Sequence, residues 1–255
     1  MRVLGHRPAK PPGMEALELV TRTSLPINAA GMAYYFDGAT LAAGEALGLD
    51  PFHFYCVGRG GVLGDVEPAV VASAFGYFHQ GMVQQLWTEG CEIMAPRAAA
   101  EAYLTAANEF GRAKLADVDG LGAFNEAAEA IIAHVDGSAL ALYAGIAAEP
   151  RPDDAPARAY RNVVTLRELR GSVHLLAIVA AGLHPAIAHA IRRPDDVAMF
   201  GYEQAPVASD ADEAALQAAD VRTDELLAAW YEVLDEGQRT AFADGANAIA
   251  AATGG

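Results

Sequence analysis

The sequence predicts an all-α protein built as a multi-helix bundle. Alanine is the dominant residue of the 255-residue chain, and β-branched residues rarely alternate with polar ones, so the two-residue period of a strand is scarce. Apolar residues instead recur at intervals of three and four, in segments separated by proline, glycine and capping residues. A chain of this length can bury a substantial core in one large helical domain or in two smaller ones.

Composition limits the classes of partner. The 33 acidic and 17 basic residues give a formal charge of −16, which repels nucleic acid unless the few basic residues gather into one patch. The same charge disfavours anionic membrane surfaces. Cys56 and Cys91 are too few for a disulfide framework and lack metal-ligand spacing, so we expect both to be reduced and apolar in character.

The first 13 residues are basic and proline-rich, and we expect them to form a flexible arm. They contain no apolar stretch long enough for a signal peptide, and no later segment reaches the length of a membrane span. These observations predict a cytoplasmic protein.

Capping residues and breakers predict the first helices. The apolar spacing of the opening segment is helical, and we expect that helix to end at Pro26. Asn28 is then predicted to cap a short helix that ends at Phe36. Asp37 is predicted to cap the next helix, which closes at Gly48.

A glycine-rich segment follows, with the sequence Gly58-Arg-Gly-Gly61. It lacks both the G-x-G-x-x-G spacing and the lysine of a phosphate-binding loop, so we interpret it as a tight turn that leads into the next helix. Arg59 is the residue of interest here, because a guanidinium in a turn can anchor an anion or a carboxylate.

Asp65 and Pro68 indicate the start of another helix, and glycines on either side of the segment from Phe75 to Gly81 predict a break. His79 therefore lies at a helix junction among aromatic residues. Two interpretations of His79 remain open: a hydrogen-bonded structural residue or a residue that contacts a ligand.

The remaining periodic segments predict seven more helices, with a proline-rich loop at residues 149–156. These helices are expected at residues 96–115, 121–135, 138–148, 157–183, 186–193, 213–234 and 237–251. We divide the chain into the arm (residues 1–13), a helical core domain (14–193) and a C-terminal helical region (194–255).

Charged residues interrupt the apolar face of the helix expected at residues 157–183. At 100° per residue, Arg167, Arg170 and His174 share one arc of this helix. Glu168 points to another side, so it is expected to pair with a different element. Clustered charge on a buried helix requires partners, because an unpaired buried charge costs several kcal/mol.

Four motifs occur in a fixed order and together resemble a known family. They are Tyr35-Phe36, Gly58-Arg59 with Leu63-Gly64, Tyr77-Phe78-His79, and Leu166-Arg-Glu-x-Arg-Gly-x-x-His174. This series, within residues 15–193, resembles an actinobacterial family of helical proteins catalogued as a helix-turn-helix family. The last motif is the most specific of the four.

The resemblance implies a C-terminal part similar to the winged helix of MarR-type regulators. A segment like the closing helix of that fold is present at residues 221–230. Between Phe200 and Asp220, however, we find no recognition helix followed by a hairpin, and no arginine or lysine. We therefore expect a reduced or degenerate winged-helix-like region and no nucleic-acid partner, because reading the major groove requires cationic side chains on a helix.

The principal functional hypothesis is a small-molecule-binding protein, in effect a sensor that has lost DNA binding. Its pocket would be lined by aromatic residues at 34–36, 52–55 and 75–78, which include Tyr35 and Tyr77. The polar residues expected to orient an anionic ligand are Arg59, His79, Arg167, Glu168, Arg170 and His174. An equally open interpretation is a buried ion network, with Glu168 on Arg59 or Arg161 and Arg170 on a carboxylate of a neighbouring helix.

Two further hypotheses remain. An enzyme could use His174 or His79 as its acid or base with an arginine clamp, although no activated serine or cysteine is evident. A winged-helix transcriptional regulator is the other. We expect no metal and no cofactor, since no His-x-x-x-His or Glu-x-x-His pair occurs. The terminal helices are expected to pack either as a homodimer or within one chain.

Overall fold

The computed structural model of the protein describes residues 14–254, so the arm predicted for residues 1–13 lies outside the described residues. This part of the chain forms twelve α-helices and no strand, which confirms the all-α, multi-helix class. The helices are α1 (Ala16–Met32), α2 (Gly38–Ala46), α3 (Pro51–Gly60), α4 (Pro68–Phe75), α5 (Gln80–Ile93), α6 (Pro96–Leu115), α7 (Leu121–His134), α8 (Ala141–Ala147), α9 (Ala155–Ala180), α10 (Pro185–Arg192), α11 (Asp210–Tyr231) and α12 (Glu236–Thr253).

The long helix α9 lies at the centre of the bundle. It packs against α1, α6, α7, α8, α10 and α11. Every residue from Ala159 to Leu166 is buried, because neighbours cover this part of the helix on all sides. The charged run that begins at Arg167 follows directly, and within it Glu168 is still buried whereas Arg167 and Arg170 are partly exposed.

Side-chain caps fix several helix starts; the sequence predicts the cap at Asp37 but not the one at Asp50. Asp37 accepts a hydrogen bond from the backbone N–H of Ala39 at 2.9 Å, and Asp50 accepts from those of Phe52 and His53 at 2.9 Å each. Each cap satisfies donors that a helix N-terminus leaves without an intrahelical partner. These caps hold α2 and α3 at defined starting points beside the bundle.

The helix predicted to end at Pro26 instead continues through that residue to Met32. Asn28 therefore lies inside α1 and caps nothing, and only residues 33–36 form a separate 3₁₀ turn. A proline inside a helix costs about 3 kcal/mol or more. The buried face of α1 continues past it with Ile27 and Ala30, and burial of such side chains against α9, α11 and α12 offsets that loss.

The turn predicted for Gly58–Gly61 is also wrong, because Gly58, Arg59 and Gly60 form the last turn of α3. The glycines at this point serve close helix packing. A Cβ atom built on Gly58 would lie 2.6 Å from Cβ and Cγ of Tyr103 on α6. Glycine here lets α3 approach α6 closely and directs Arg59 toward α9.

The C-terminal helices α11 and α12 pack against α1, α7 and α9 and contribute to the main core. Phe242 stacks on Phe124 of α7 with ring centroids 5.4 Å apart. Leu227 and Leu234 are 2 % exposed within this chain. With no strand in residues 14–254, the β-wing of a winged helix has no counterpart there, and the winged-helix-like detail is not confirmed.

No single helix in the described part of the chain is both long and apolar enough to cross a membrane. Within residues 14–254, one pair of helices, α9 and α10 taken together, reaches that length and composition, and the two are bent by 116° at their junction.

Two glycine substitutions test the packing at α3. Gly58→Ala should lower the free energy of unfolding by about 1–3 kcal/mol, since the added methyl group collides with Tyr103. Gly122→Ala is the matched control in α7, where a Cβ meets nothing within 4 Å; it should stabilise by about 0.5–1 kcal/mol. Urea denaturation measures both, and equal effects would contradict the packing role of Gly58.

Candidate functional site

A cavity of about 820 Å³ lies between α9 and elements from both halves of the chain. Its aromatic lining comes from the 3₁₀ turn after α1, from α3, from the end of α4 and the α4–α5 junction, and from the segment between α10 and α11. The aromatic residues are Tyr35, Phe36, Phe52, Tyr55, Phe75, Tyr77, Phe78 and Phe200. The cationic and imidazole residues are Arg59, Arg167, Arg170, His174, His189, Arg192 and Arg193.

Two arginines of this lining share one carboxylate. Glu168 accepts two hydrogen bonds from Arg59, from Nε and from Nη2, at 2.8 Å each, and a third from Nη1 of Arg167 at 2.9 Å. The Glu168 side chain is 2 % exposed, and the two arginine side chains are 13 % and 16 % exposed. Two largely buried positive charges therefore share one buried negative charge.

Aromatic rings hold both guanidinium groups in place. The Arg59 guanidinium lies 4.5 Å from the ring centroid of Phe75, and its Nη1 donates to the Tyr55 hydroxyl at 3.0 Å. Arg167 lies over the ring of Tyr35, 5.1 Å from its centroid. Cation–π contacts of this kind are strongest where water is excluded, so they add to the ion pairs.

Burial and the two arginines act in opposite directions on Glu168. Burial by itself would raise the pKa of this carboxyl, but the charges and hydrogen bonds of Arg59 and Arg167 outweigh burial and hold the pKa below its usual range. Glu168 is therefore ionised at neutral pH, and the pair of arginines keeps a surplus of one positive charge.

Gly31 of α1 makes room for Arg167. A Cβ atom on Gly31 would lie 2.8 Å from Cδ and 2.9 Å from Cβ of Arg167. The Arg167 side chain consequently crosses the surface of α1 before it reaches Glu168 and the cavity.

Helices α9 and α11 are joined by two polar pairs with matched spacing. Arg170 donates to Asp224 at 2.6 Å, and His174 contacts Asp220 at 3.0 Å. Arg170 and His174 are four positions apart on α9, and Asp220 and Asp224 are four positions apart on α11. The two helices run antiparallel, so the later residue of one pairs with the earlier residue of the other. Asp220 and Asp224 were missed from the sequence; the signal that could have indicated them is this equal spacing of opposite charges on two helices.

His174 uses both of its ring nitrogens. Its Nδ1 lies 2.7 Å from the Tyr77 hydroxyl, and its Nε2 lies 3.0 Å from Oδ1 of Asp220. The other carboxylate oxygen of Asp220 accepts from Arg192. Burial lowers the pKa of His174 in spite of Asp220, so the imidazole is neutral at pH 7. With both nitrogens occupied, His174 can reach a bound molecule only through Tyr77.

The candidate residues do not all come together. Tyr35, Arg59, Tyr77, Arg167, Arg170 and His174 line one cavity, and Glu168 lies directly behind Arg59 and Arg167. His79 is exposed outside the cavity at the start of α5, where its backbone N–H donates to the carbonyl of Phe200. The position of His79 thus suits a structural role, because a helix junction rather than the cavity holds it.

The ion network that the sequence left open is present beside the cavity. Glu168 pairs with Arg59 and not with Arg161, whose Nη2 donates to the carbonyl of Pro150 at 3.4 Å. Two buried polar atoms of the site, the Tyr35 hydroxyl and Nε of Arg167, have no hydrogen-bond partner among the described residues. In residues 14–254, no group of three His, Cys, Asp or Glu side chains could hold a metal ion.

Removal of the Glu168 carboxylate tests how much it contributes to the stability of the fold. Glu168→Ala leaves two buried guanidinium groups without their counter-charge and should lower the free energy of unfolding by about 3–5 kcal/mol. Arg167→Ala should lower it less, because the two-bond contact between Arg59 and Glu168 remains.

Glu225→Ala is the control for this measurement, since Glu225 pairs with Arg222 on the surface, where such pairs contribute about 0–1 kcal/mol. Denaturant titration of the three variants gives the ranking. A loss for Glu168→Ala no greater than that for Glu225→Ala would refute the role of Glu168.

Comparison with known proteins gives one family. A sequence model described as a helix-turn-helix family matches residues 20–205, well over half of the chain. No curated protein and no solved structure matches. The matched region contains the whole arginine cluster of α3 and α9 and ends before α11 begins. The chain belongs to this helix-turn-helix family.

Proposed function

We propose that the protein binds an anionic organic molecule in the cavity beside α9. The observation that carries this proposal is the sharing of Glu168 by Arg59 and Arg167. One arginine is enough to neutralise the charge of Glu168, so the second arginine brings an additional positive charge to the cavity wall. A second buried guanidinium next to a cavity is a binding group for a carboxylate or a similar anion.

The charges around the cavity support the same proposal. Arg170 is matched by Asp224, and Arg192 is matched by Asp220. Since His174 is neutral, the surplus of one positive charge at Arg59 and Arg167 is left without a counter-charge from these groups. A ligand with one negative charge would neutralise it.

The size and lining of the cavity also fit an organic ligand. Ligand pockets range over about 300–1,000 Å³ and are mostly apolar with a few polar groups, and this cavity of about 820 Å³ falls in that range. Phe78, Phe200 and His189 form a stack on one wall, with centroid distances of 4.1 Å and 3.7 Å. A flat apolar body would lie well against these rings.

Calorimetry with aromatic and aliphatic monocarboxylates, each paired with its neutral amide, tests the proposal. The acids should bind and the amides should bind at least about tenfold more weakly, because a charge-assisted hydrogen bond contributes about 1.5–3 kcal/mol. Arg167→Ala should weaken acid binding to a similar degree. Arg222→Ala, on the exposed surface of α11, is the control and should bind like the unaltered protein.

Native mass spectrometry of the purified protein would identify a molecule that is retained in the cavity. Equal binding of acids and amides, or unchanged acid binding by folded Arg167→Ala, would refute the proposed anion site.

A DNA-binding regulator is a second candidate, which family membership favours. Helices α9 and α10 are bent by 116° across residues 181–184, where Gly182 has a φ of +74°, as in a helix-turn-helix. Against it, Arg192 is the one exposed residue of the short helix α10, so almost no surface of this helix is available to a groove while it is packed in the bundle.

A gel-shift assay with genomic fragments separates the two candidates. Because the chain has a formal charge of −16, it should give no shift even at about 50 mM salt, where electrostatic binding to DNA is strong. A shift that competitor DNA of one sequence removes would establish the regulator instead. The assay should be repeated with any ligand found in the cavity, since release of α10 by a ligand would appear only then.

A further inference from the structure

We propose that the anion bound in this cavity is a hydroxy acid, whose hydroxyl group donates a hydrogen bond to the oxygen of Tyr77. This inference rests on the proposed function, because it assigns a second contact to the same ligand. It is based on the series of hydrogen bonds that runs from Asp220 through His174 to Tyr77.

Asp220 sets the direction of the hydrogen bonds in this series. An ionised carboxylate can only accept, so Nε2 of His174 must carry the proton that lies between them at 3.0 Å. Nδ1 of a neutral imidazole is then an acceptor. The Tyr77 hydroxyl, 2.7 Å away, must donate its only proton to Nδ1.

Tyr77 therefore offers only its oxygen lone pairs to a bound molecule. The surroundings keep His174 neutral and Tyr77 protonated at neutral pH. Burial lowers the pKa of His174, and the nearby charges of Arg170 and Arg192 lower it further, while Asp220 acts in the opposite direction. Burial also raises the pKa of Tyr77, so the phenol keeps its proton.

The acceptor and the arginines belong to one site. Tyr77 lines the same cavity as Arg59, Arg167 and Arg170, and the positive charges of all three act on its hydroxyl. A ligand anchored at the arginines by its anionic group can thus offer a hydroxyl donor to Tyr77 within the same cavity. A neutral hydroxyl suits this position, whereas an ammonium group would bring a positive charge toward the guanidinium groups.

Three probes of one size test the inference by calorimetry: 3-phenyllactate, which has the hydroxyl group, 3-phenylpropionate, which lacks it, and phenylalanine, which has an ammonium group. The unaltered protein should bind phenyllactate about tenfold or more tightly than phenylpropionate, because only phenyllactate has a hydroxyl group that can donate to the lone pairs of the Tyr77 oxygen, whose own proton is donated to His174. Phenylalanine should bind more weakly than phenyllactate.

Tyr77→Phe should bind phenyllactate and phenylpropionate equally. Tyr202→Phe is the matched control, since Tyr202 contacts His79 outside the cavity, and it should keep the preference. Equal binding of the two acids by the unaltered protein, or a preference that survives Tyr77→Phe, would overturn the inference and leave the anion site intact. Binding of none of the three probes would overturn both proposals for aromatic acids.

The hydrogen-bond direction can be measured without any ligand. Nitrogen-15 NMR of the His174 ring should show the proton on Nε2 at neutral pH. Asp220→Asn should mix the two tautomers, because an amide can donate as well as accept. A proton on Nδ1 in the unaltered protein would overturn the inference, whatever the probes show.

Discussion

The pairing of Glu168 with Arg59 and Arg167 is the interaction on which the geometry of the cavity depends. Helices α3 and α9 both pack against α6. The ion pair between Arg59 and Glu168 joins α3 and α9 at the wall of the cavity. The hydrogen bonds have normal lengths, and aromatic rings cover the guanidinium groups. Without Glu168, the two arginines would repel each other inside the protein, so the carboxylate makes an arginine-rich cavity possible at all.

The distribution of charge in the molecule is unusual for so acidic a chain. Exposed arginines such as Arg22, Arg112 and Arg222 pair with nearby carboxylates. The chain keeps a large negative excess because it has 33 acidic and only 17 basic residues. The charged side chains that line the cavity are mostly positive. Because salt screens exposed charges over about 8 Å in physiological solution, the local positive charge dominates for a molecule that has entered the cavity. In the function proposed above, an anion would be selected by contact and not by long-range attraction.

Local signals in the sequence predicted most helices, the side-chain cap of α2 and the proline at the start of α4. Asp37 caps α2 and Pro68 lies in the first turn of α4, because capping depends only on neighbouring residues. The failures came at Pro26 and at Gly58–Gly61, where the local preference was for a break. In both places contacts between distant helices outweigh the local preference: buried residues extend α1 through its proline, and the glycines of α3 permit close contact with α6.

The sequence by itself determined that Arg167, Arg170 and His174 face one way on a single helix and that Glu168 faces another. That result follows from the helical period and needs no knowledge of neighbouring elements. Only the tertiary structure decided that Glu168 reaches Arg59, that His174 meets Tyr77 and Asp220, and that His79 lies outside the cavity. These contacts join residues many positions apart, and they depend on how the helices pack, which no local pattern in the chain encodes.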